Sequence, residues 1–326
     1  MSYKTTDGLM RHLRDKGIAV SGSTQKRQLI NTGYFHGYKG YRFFHRAGNS
    51  LPFTSYGEVY ATIRYDAALK SLLYGKVMFI ETAVKNIAVE AILTKVRSES
   101  IQVMCDRAVS GYHNSPVGAN VEKKKKLQQT KLNLQNAIQS SLAKEYRRGN
   151  PKITHFYDNA NYSGVPIWAL FEIMTMEDFG FLLSCLTYDV RDDISRRIGL
   201  NLAYDTDRQL VYKYIYMLKD LRNAIAHNAV VFDTRFRTVD PNRAVRQCLL
   251  QEIGLSYVNF KTIGDYIILV CYYLKILHVP KTEIKAFVRE FEKIRDDYVK
   301  SVNPAVAAIV IHRDLSARMT ALKAYI

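Results

Sequence analysis

A chain of 326 residues is long enough to bury a substantial core, and 48% hydrophobic with 24% charged residues is an ordinary globular balance that excludes wholesale disorder. Its 47 Lys plus Arg against 30 Asp plus Glu give a net charge of +17, which favours a polyanionic partner, nucleic acid or an anionic membrane surface. The apolar run Tyr266 to Leu274 stops at Lys275, well short of the ~20 residues a membrane span needs, and MSYKTTDGLMRHLRDKG has no apolar leader core, so a cytoplasmic protein without a membrane partner is expected.

The first fifty residues hold nine Lys or Arg against two Asp and interleave that charge with aromatics in GYFHGYKGYRFF. Thr6 or Asp7 is placed to cap a helix through Lys16, and Ser23 or Thr24 to open a second ending at Gly33. The alternating aromatics that follow predict strands or a hairpin, a pattern that resembles a winged helix; the glycines at 33, 37 and 40 equally fit an irregular loop. Residues 1–57 are read as a small basic, aromatic module, and 58–326 as a helical domain. In the module, Tyr34, Phe35, Tyr38, Tyr41 and Phe43 among Lys39, Arg42 and Arg46 suit either base stacking with phosphate contacts or simple core packing.

From about Tyr60 the period is helical: Leu69, Leu73, Val77, Ile80, Val84, Ile87 and Ala91 recur at steps of three and four and mark a long buried stripe. Residues 98 to 120 read as a loop or short broken helix. In VEKKKKLQQTKLNLQNAIQSSLAKEYRR, Leu127, Leu134, Ile138 and Leu142 hold one face. Lys123, Lys124, Lys125 and Lys126, with Lys131, Lys144, Arg147 and Arg148, leave the rest positive, which fits a solvated face or one that tracks phosphates.

Pro166 opens IWALFEIMTMEDFGFLLSCL, read as one central buried helix, and a further helix runs from Thr206 to Asn228. Helices are also expected at 242 to 253, 259 to 278 and 282 to 302. With no parallel-sheet pattern and no repeat, the fold class is all-α, a helical bundle behind the N-terminal module. Cys105, Cys185, Cys248 and Cys271 stand without ligand spacing, so neither a disulfide nor a metal site is called for, and no cofactor.

The chemistry-bearing constellation ends helix 206 to 228: LRNAIAHN carries Arg222, Asn223 and His227 where polarity replaces the apolar stripe. Asn223 and His227 share a face, and Arg222, about 100° round the helix, has the reach to converge on the same anion. Metal-free RNA cleavage needs a base for the ribose 2′-hydroxyl, an acid for the departing 5′-oxygen and positive charge at the phosphorane. Histidine and arginine supply these. Spacing alone is weak, since 23 arginines and 8 histidines in 326 residues predict about 0.6 chance matches. A cationic helix end facing the macrodipole is the plain alternative. Glu81 and Lys85, four apart with Glu first, form either a helix-stabilising surface pair or a partly buried pair that steers Arg222 or RNA. His155 and Trp168 flank the Pro-Ile-Trp segment and read as packed side chains, and His113 and His312 have no companions at useful spacing.

GYFHGYKGYRFF, RYDAALKSLL with FIETAVKNIAVEAI, HFYDNANYSGVPIWALFEIMTMEDFG and LRNAIAHN together resemble the AbiD/AbiF-like abortive-infection family of the HEPN superfamily. PIWALFE and DFG followed some fifty residues later by RNxxAH carry the likeness most specifically. The resemblance implies a HEPN-like bundle and an endoribonuclease acting as a homodimer, with two Arg-x4-His motifs meeting across a two-fold axis. Arg222, Asn223 and His227 are then catalytic, and Glu81 and Lys85 correspond to the superfamily's acid-x3-base pair. It further implies a role in host defence or as a toxin, and a structured non-coding RNA as regulator. Family members often carry Cys before the Ala-His and a basic residue after it, where this chain has Ile225 and Asn228-Ala229. A non-catalytic RNA-binding protein and a DNA-binding regulator using the N-terminal module are the alternative functions.

Overall fold

The computed structural model describes residues 5–237 and 241–326, and among these every regular element is a helix. In chain order they are α1 Thr6–Arg14, α2 Gly22–Thr32, a π-helical turn Tyr34–Lys39, α3 Tyr56–Val96, α4 Ile101–Arg107, α5 Val121–Arg147, α6 Pro151–Asp158, α7 Ile167–Ile173, α8 Met176–Cys185 and α9 Tyr188–Ile198. There follow α10 Leu210–Ala226, α11 Arg243–Ile253, α12 Ile263–Ile276, α13 Lys281–Ser301, α14 Pro304–Val310 and α15 Leu315–Tyr325. The all-α class expected from the sequence is therefore the one observed.

Two local expectations are corrected. The alternating aromatics of residues 34–44 do not pair as strands: the glycine spacing lets the chain wind into the π turn, and Tyr38 and Tyr41 point into the core. Only isolated bridges occur among the described residues, Phe43 with Ser50 being one. Likewise the run after Pro166 is two helices rather than one. Thr175 takes an extended conformation and its hydroxyl accepts from the Asp178 amide at 3.1 Å, so α8 starts on its own cap and α7 stops at Met174.

The long helix α3 begins four residues before the expected Tyr60 because of a capping box. The Ser55 hydroxyl accepts from the Glu58 amide at 3.3 Å, and the Glu58 carboxylate accepts from the amides of Thr54 at 2.7 Å and Ser55 at 3.2 Å. From there Leu69, Leu73, Val77, Ile80 and Val84 are fully buried, as their spacing requires.

The chain divides into two compact units. One comprises residues 1–78, 220–241 and 249–326; the other 79–219 and 242–248. In the first, α12 is buried on all sides from Ile263 to Leu274 and packs against α13 and α15. Tyr65 of α3 stacks on Tyr298 of α13 with ring centroids 4.4 Å apart, and the second Glu58 oxygen holds the Asn303 amide at 2.9 Å. In the second unit, α5 lays Leu134, Ile138 and Leu142 against α6, α7 and α8. No helix of the described residues is long and apolar enough to cross a membrane. All four cysteines are free and buried, and burial pushes the Cys105 and Cys185 thiols up to about 11.

Candidate functional site: the end of helix α10

The start of α10 is fixed by a buried carboxylate. Asp205 is inaccessible to solvent, accepts from the Leu210 amide at 2.8 Å and is held by the Ser195 hydroxyl at 2.8 Å. Its other end carries the Arg222, Asn223 and His227 constellation. There the last turn closes as a Schellman motif: the Asn228 amide reaches the Ile225 carbonyl at 3.1 Å and the Ala229 amide the Ala224 carbonyl at 2.8 Å. Asn228 takes the left-handed conformation, φ 52°, that usually calls for glycine; asparagine is the side chain that tolerates it best.

Asn228 also does something glycine could not. Its side-chain oxygen accepts from the Lys70 ammonium at 2.9 Å, and Lys70 pairs with Asp66 at 2.7 Å, one turn earlier on α3. Asp66 is fully buried, and its two oxygens take up four donors. One accepts from the amides of Val231 and Phe232, each at 2.7 Å; the other accepts from the Tyr41 hydroxyl at 2.7 Å and faces Lys70. Burial first, and then the Asp66 charge, push the Tyr41 phenol far up, so it stays a donor at any working pH. The chain leaving α10 is thus clamped to α3 immediately after the histidine. Phe232 completes the clamp by stacking on Tyr41, centroids 5.9 Å apart.

Arg222 and Asn223 are half-buried, and the Arg222 guanidinium donates to the Asn223 side-chain oxygen at 3.1 Å. That bond orients both groups on one turn. His227 is exposed, and its imidazole makes no hydrogen bond or ion pair among the described residues. The end of the helix therefore presents an oriented guanidinium, an amide and an uncommitted imidazole to solvent. Such a set can bind a phosphate and exchange a proton beside it.

Glu81 and Lys85 lie in the other unit and are a buried pair rather than a surface one. Lys85 donates to Glu81 at 2.9 Å and to the Met174 carbonyl at 2.7 Å, the residue where α7 ends. Of the expected RNA-contacting residues, Lys123, Lys125 and Lys126 project from the first turns of α5 into solvent, and Lys124 leans over Tyr112, 6.0 Å from its ring centre. Lys39 lies over the rings of Tyr34 and Phe35, and Phe35 is 71% exposed, whereas Tyr38 and Tyr41 belong to the core. Arg42 is half-buried and Arg46 exposed. Trp168, expected to be packed, is half-exposed and donates from its indole to Glu99 at 3.4 Å.

An all-helical basic chain that displays Arg-Asn-x3-His on a clamped helix end is the class these features define. The family model for Abi-like proteins matches residues 27–233, from within α2 through the clamp at Phe232, and the chain belongs to that abortive-infection family. No curated protein and no solved structure matches the chain. Asp66, Lys70 and Asn228 were not singled out from the sequence as site residues, and Tyr41 was read only as a stacking or core aromatic. Asp66 and Lys70 stand four apart in RYDAALK, a spacing that could have revealed a pair, but nothing local announces that its partners lie past residue 227.

Proposed function

We propose that this protein is a metal-independent endoribonuclease acting in phage defence, with the end of α10 as its active half-site and a second copy of the chain supplying the other half. The observation that carries this reading is the α10 terminus itself: a guanidinium oriented by Asn223 and, five residues on, an exposed imidazole with no structural partner. A histidine with no role in packing, held on a backbone that is clamped by a buried carboxylate, is what proton transfer at a surface-bound strand needs.

In this scheme the ribose 2′-oxygen attacks the adjacent phosphorus, the bond from phosphorus to the 5′-oxygen breaks, and the products carry a 2′,3′-cyclic phosphate and a 5′-hydroxyl. His227 takes the 2′-hydroxyl proton, and the symmetry-related His227 returns one to the leaving oxygen. Arg222 neutralises the charge that builds on the non-bridging oxygens, and Asn223 keeps it aimed. The surplus of positive charge raises the local concentration of RNA, with Lys123, Lys125 and Lys126 as backbone contacts. The family membership supports the defence setting, and a structured non-coding RNA is proposed as the restraint on activity.

The test is cleavage of a labelled single-stranded RNA, with end-group analysis of the fragments, by the native chain and by the His227→Ala and Arg222→Ala variants. Loss of cleavage in both, with RNA affinity and its salt dependence retained by His227→Ala, is expected. Undiminished cleavage by His227→Ala refutes the assignment, and a native chain that binds RNA without cutting it leaves a binding protein instead.

A further inference from the structure

The segment that leaves the α10 clamp goes on to line a second feature, a pocket of about 750 Å³ lined by residues 44–46, 48–49, 234–235, 237 and 261. Its lining residues include His45, Arg46, Arg235, Arg237 and Lys261, and among the described residues no carboxylate lines it. The cations fall into two kinds. Arg235 is spent on the wall: it forks onto the buried Asp233, donates to the carbonyls of Gly40 and Phe43 at 2.8 Å each, and lies over the Phe43 ring at 4.1 Å. Arg46 and Lys261 are exposed, and their side chains have no partner among the described residues. Arg237 adds a guanidinium that donates to the Asn259 carbonyl at 2.8 Å.

The backbone around this pocket is unusual as well. His45 (φ 62°), Thr234 (φ 57°) and Phe260 (φ 57°), the neighbour of Lys261, all sit in the left-handed region without being glycine. For a β-branched and an aromatic residue that region is uphill by roughly 1–2 kcal/mol. Each is held there: the His45 amide donates to Asp233 at 2.7 Å, the Thr234 hydroxyl to the Phe260 carbonyl at 3.0 Å, and the Phe260 amide to the buried Asp265 at 2.9 Å. Strain maintained at three points around one cationic opening is the signature of a preorganised site. Burial holds the His45 imidazole below its usual pKa against the opposing pull of Asp233, with Arg235 and Arg237 adding smaller contributions in the same direction as burial, so near neutral pH it offers one donor and adds no charge.

We propose that this pocket binds the phosphate group of a nucleotide or of an RNA strand, with Arg46, Arg237 and Lys261 as its cations. An unpaired lysine and arginine at the mouth supply long-range attraction. The fixed wall behind them sets where the anion stops. The inference does not depend on cleavage at the end of α10.

Binding is measured in phosphate-free buffer on the full chain carrying His227→Ala, so that turnover plays no part. The probes are ADP, by calorimetry, and a fluorescein-labelled 12-nucleotide single-stranded RNA without a 5′-phosphate, by anisotropy. Arg46→Ala/Lys261→Ala alters only exposed side chains, and Lys281→Ala/Lys293→Ala on α13 removes the same charge from another exposed surface. Loss of about tenfold or more in affinity for ADP from the first double variant alone identifies a free nucleotide as the source of the phosphate, and the same loss for RNA alone identifies a strand phosphate. Equal losses from the two double variants, or no loss from either with both probes, overturns the proposal. A matched circular dichroism spectrum and melting temperature establishes that each variant is folded.

Discussion

Replacing Asp66 by Asn tests whether the α10 terminus is built as described. The carboxylate accepts from two backbone amides, a phenol and an ammonium, all at 2.7 Å, inside the first unit. An amide of the same shape keeps one oxygen for Val231 and Phe232 and lets the Tyr41 hydroxyl turn to accept. It cannot satisfy Lys70, which is only 8% exposed and would lose its counter-charge. Stranding one member of a buried pair costs about 3–5 kcal/mol, a large part of the ~5–15 kcal/mol that holds a typical fold. Removing both charges in Asp66→Asn/Lys70→Met should recover roughly half or more of that loss, because the remaining partner of Lys70, the Asn228 side chain, is exposed and can bond water. Urea unfolding followed by circular dichroism gives the three free energies, and amide hydrogen exchange at Val231 and Phe232 reports the clamp directly. A single variant within about 1 kcal/mol of the native chain, or a double variant no more stable than the single, would refute the reasoning.

Four further outcomes are expected. Asn228→Ala should cost about 1–2 kcal/mol more than Asn228→Gly in the same unfolding assay, because both lose the Lys70 bond but only alanine must enter the left-handed region. Lys85→Met should destabilise by about 3–5 kcal/mol by leaving the buried Glu81 carboxylate unpaired, and Glu81→Gln/Lys85→Met by clearly less in thermal melts. Gly264→Ala should cost about 1–3 kcal/mol in the same melts, since its Cβ would lie 2.6 Å from the Leu315 Cδ1 and 3.3 Å from the Arg318 guanidinium. Burial raises the Glu58 carboxyl pKa, but the bonds from Thr54, Ser55 and Asn303 together outweigh it, so the folded value lies below the unfolded one. Its contribution is then complete above the ordinary carboxylate range and disappears as pH falls through the depressed folded value; Glu58→Gln should flatten that acid limb of a stability-versus-pH curve, and an unchanged limb would count against the capping box.

What the sequence disclosed and what it hid follow one division. Leu69, Leu73, Val77, Ile80 and Val84 announced α3 because a helix repeats its buried face locally, and the α10 constellation was visible because it lies within six residues. The π turn at Tyr34–Lys39 stays between strand and irregular loop in the sequence because alternation over a few aromatics does not distinguish them, and only the surrounding core decides. The break between α7 and α8 was overlooked although Thr175 and Asp178 stand at cap spacing, since hydrophobicity on both sides masked it. Asp66, Asp233 and Asp265 were illegible for a different reason. Each serves backbone amides, and a backbone donor has no letter in the sequence; the distance from Asp66 to Val231 is 165 residues.

The imidazole of His227 supports nothing in the architecture: the turn that follows it is closed by backbone amides, by Asn228 and by the carboxylate of Asp66. Almost any residue could occupy that position and the helix would finish in the same way. A single codon change could therefore silence whatever chemistry resides there while leaving a correctly shaped product, so the abundance of a variant in cells is no guide to whether that helix end still functions.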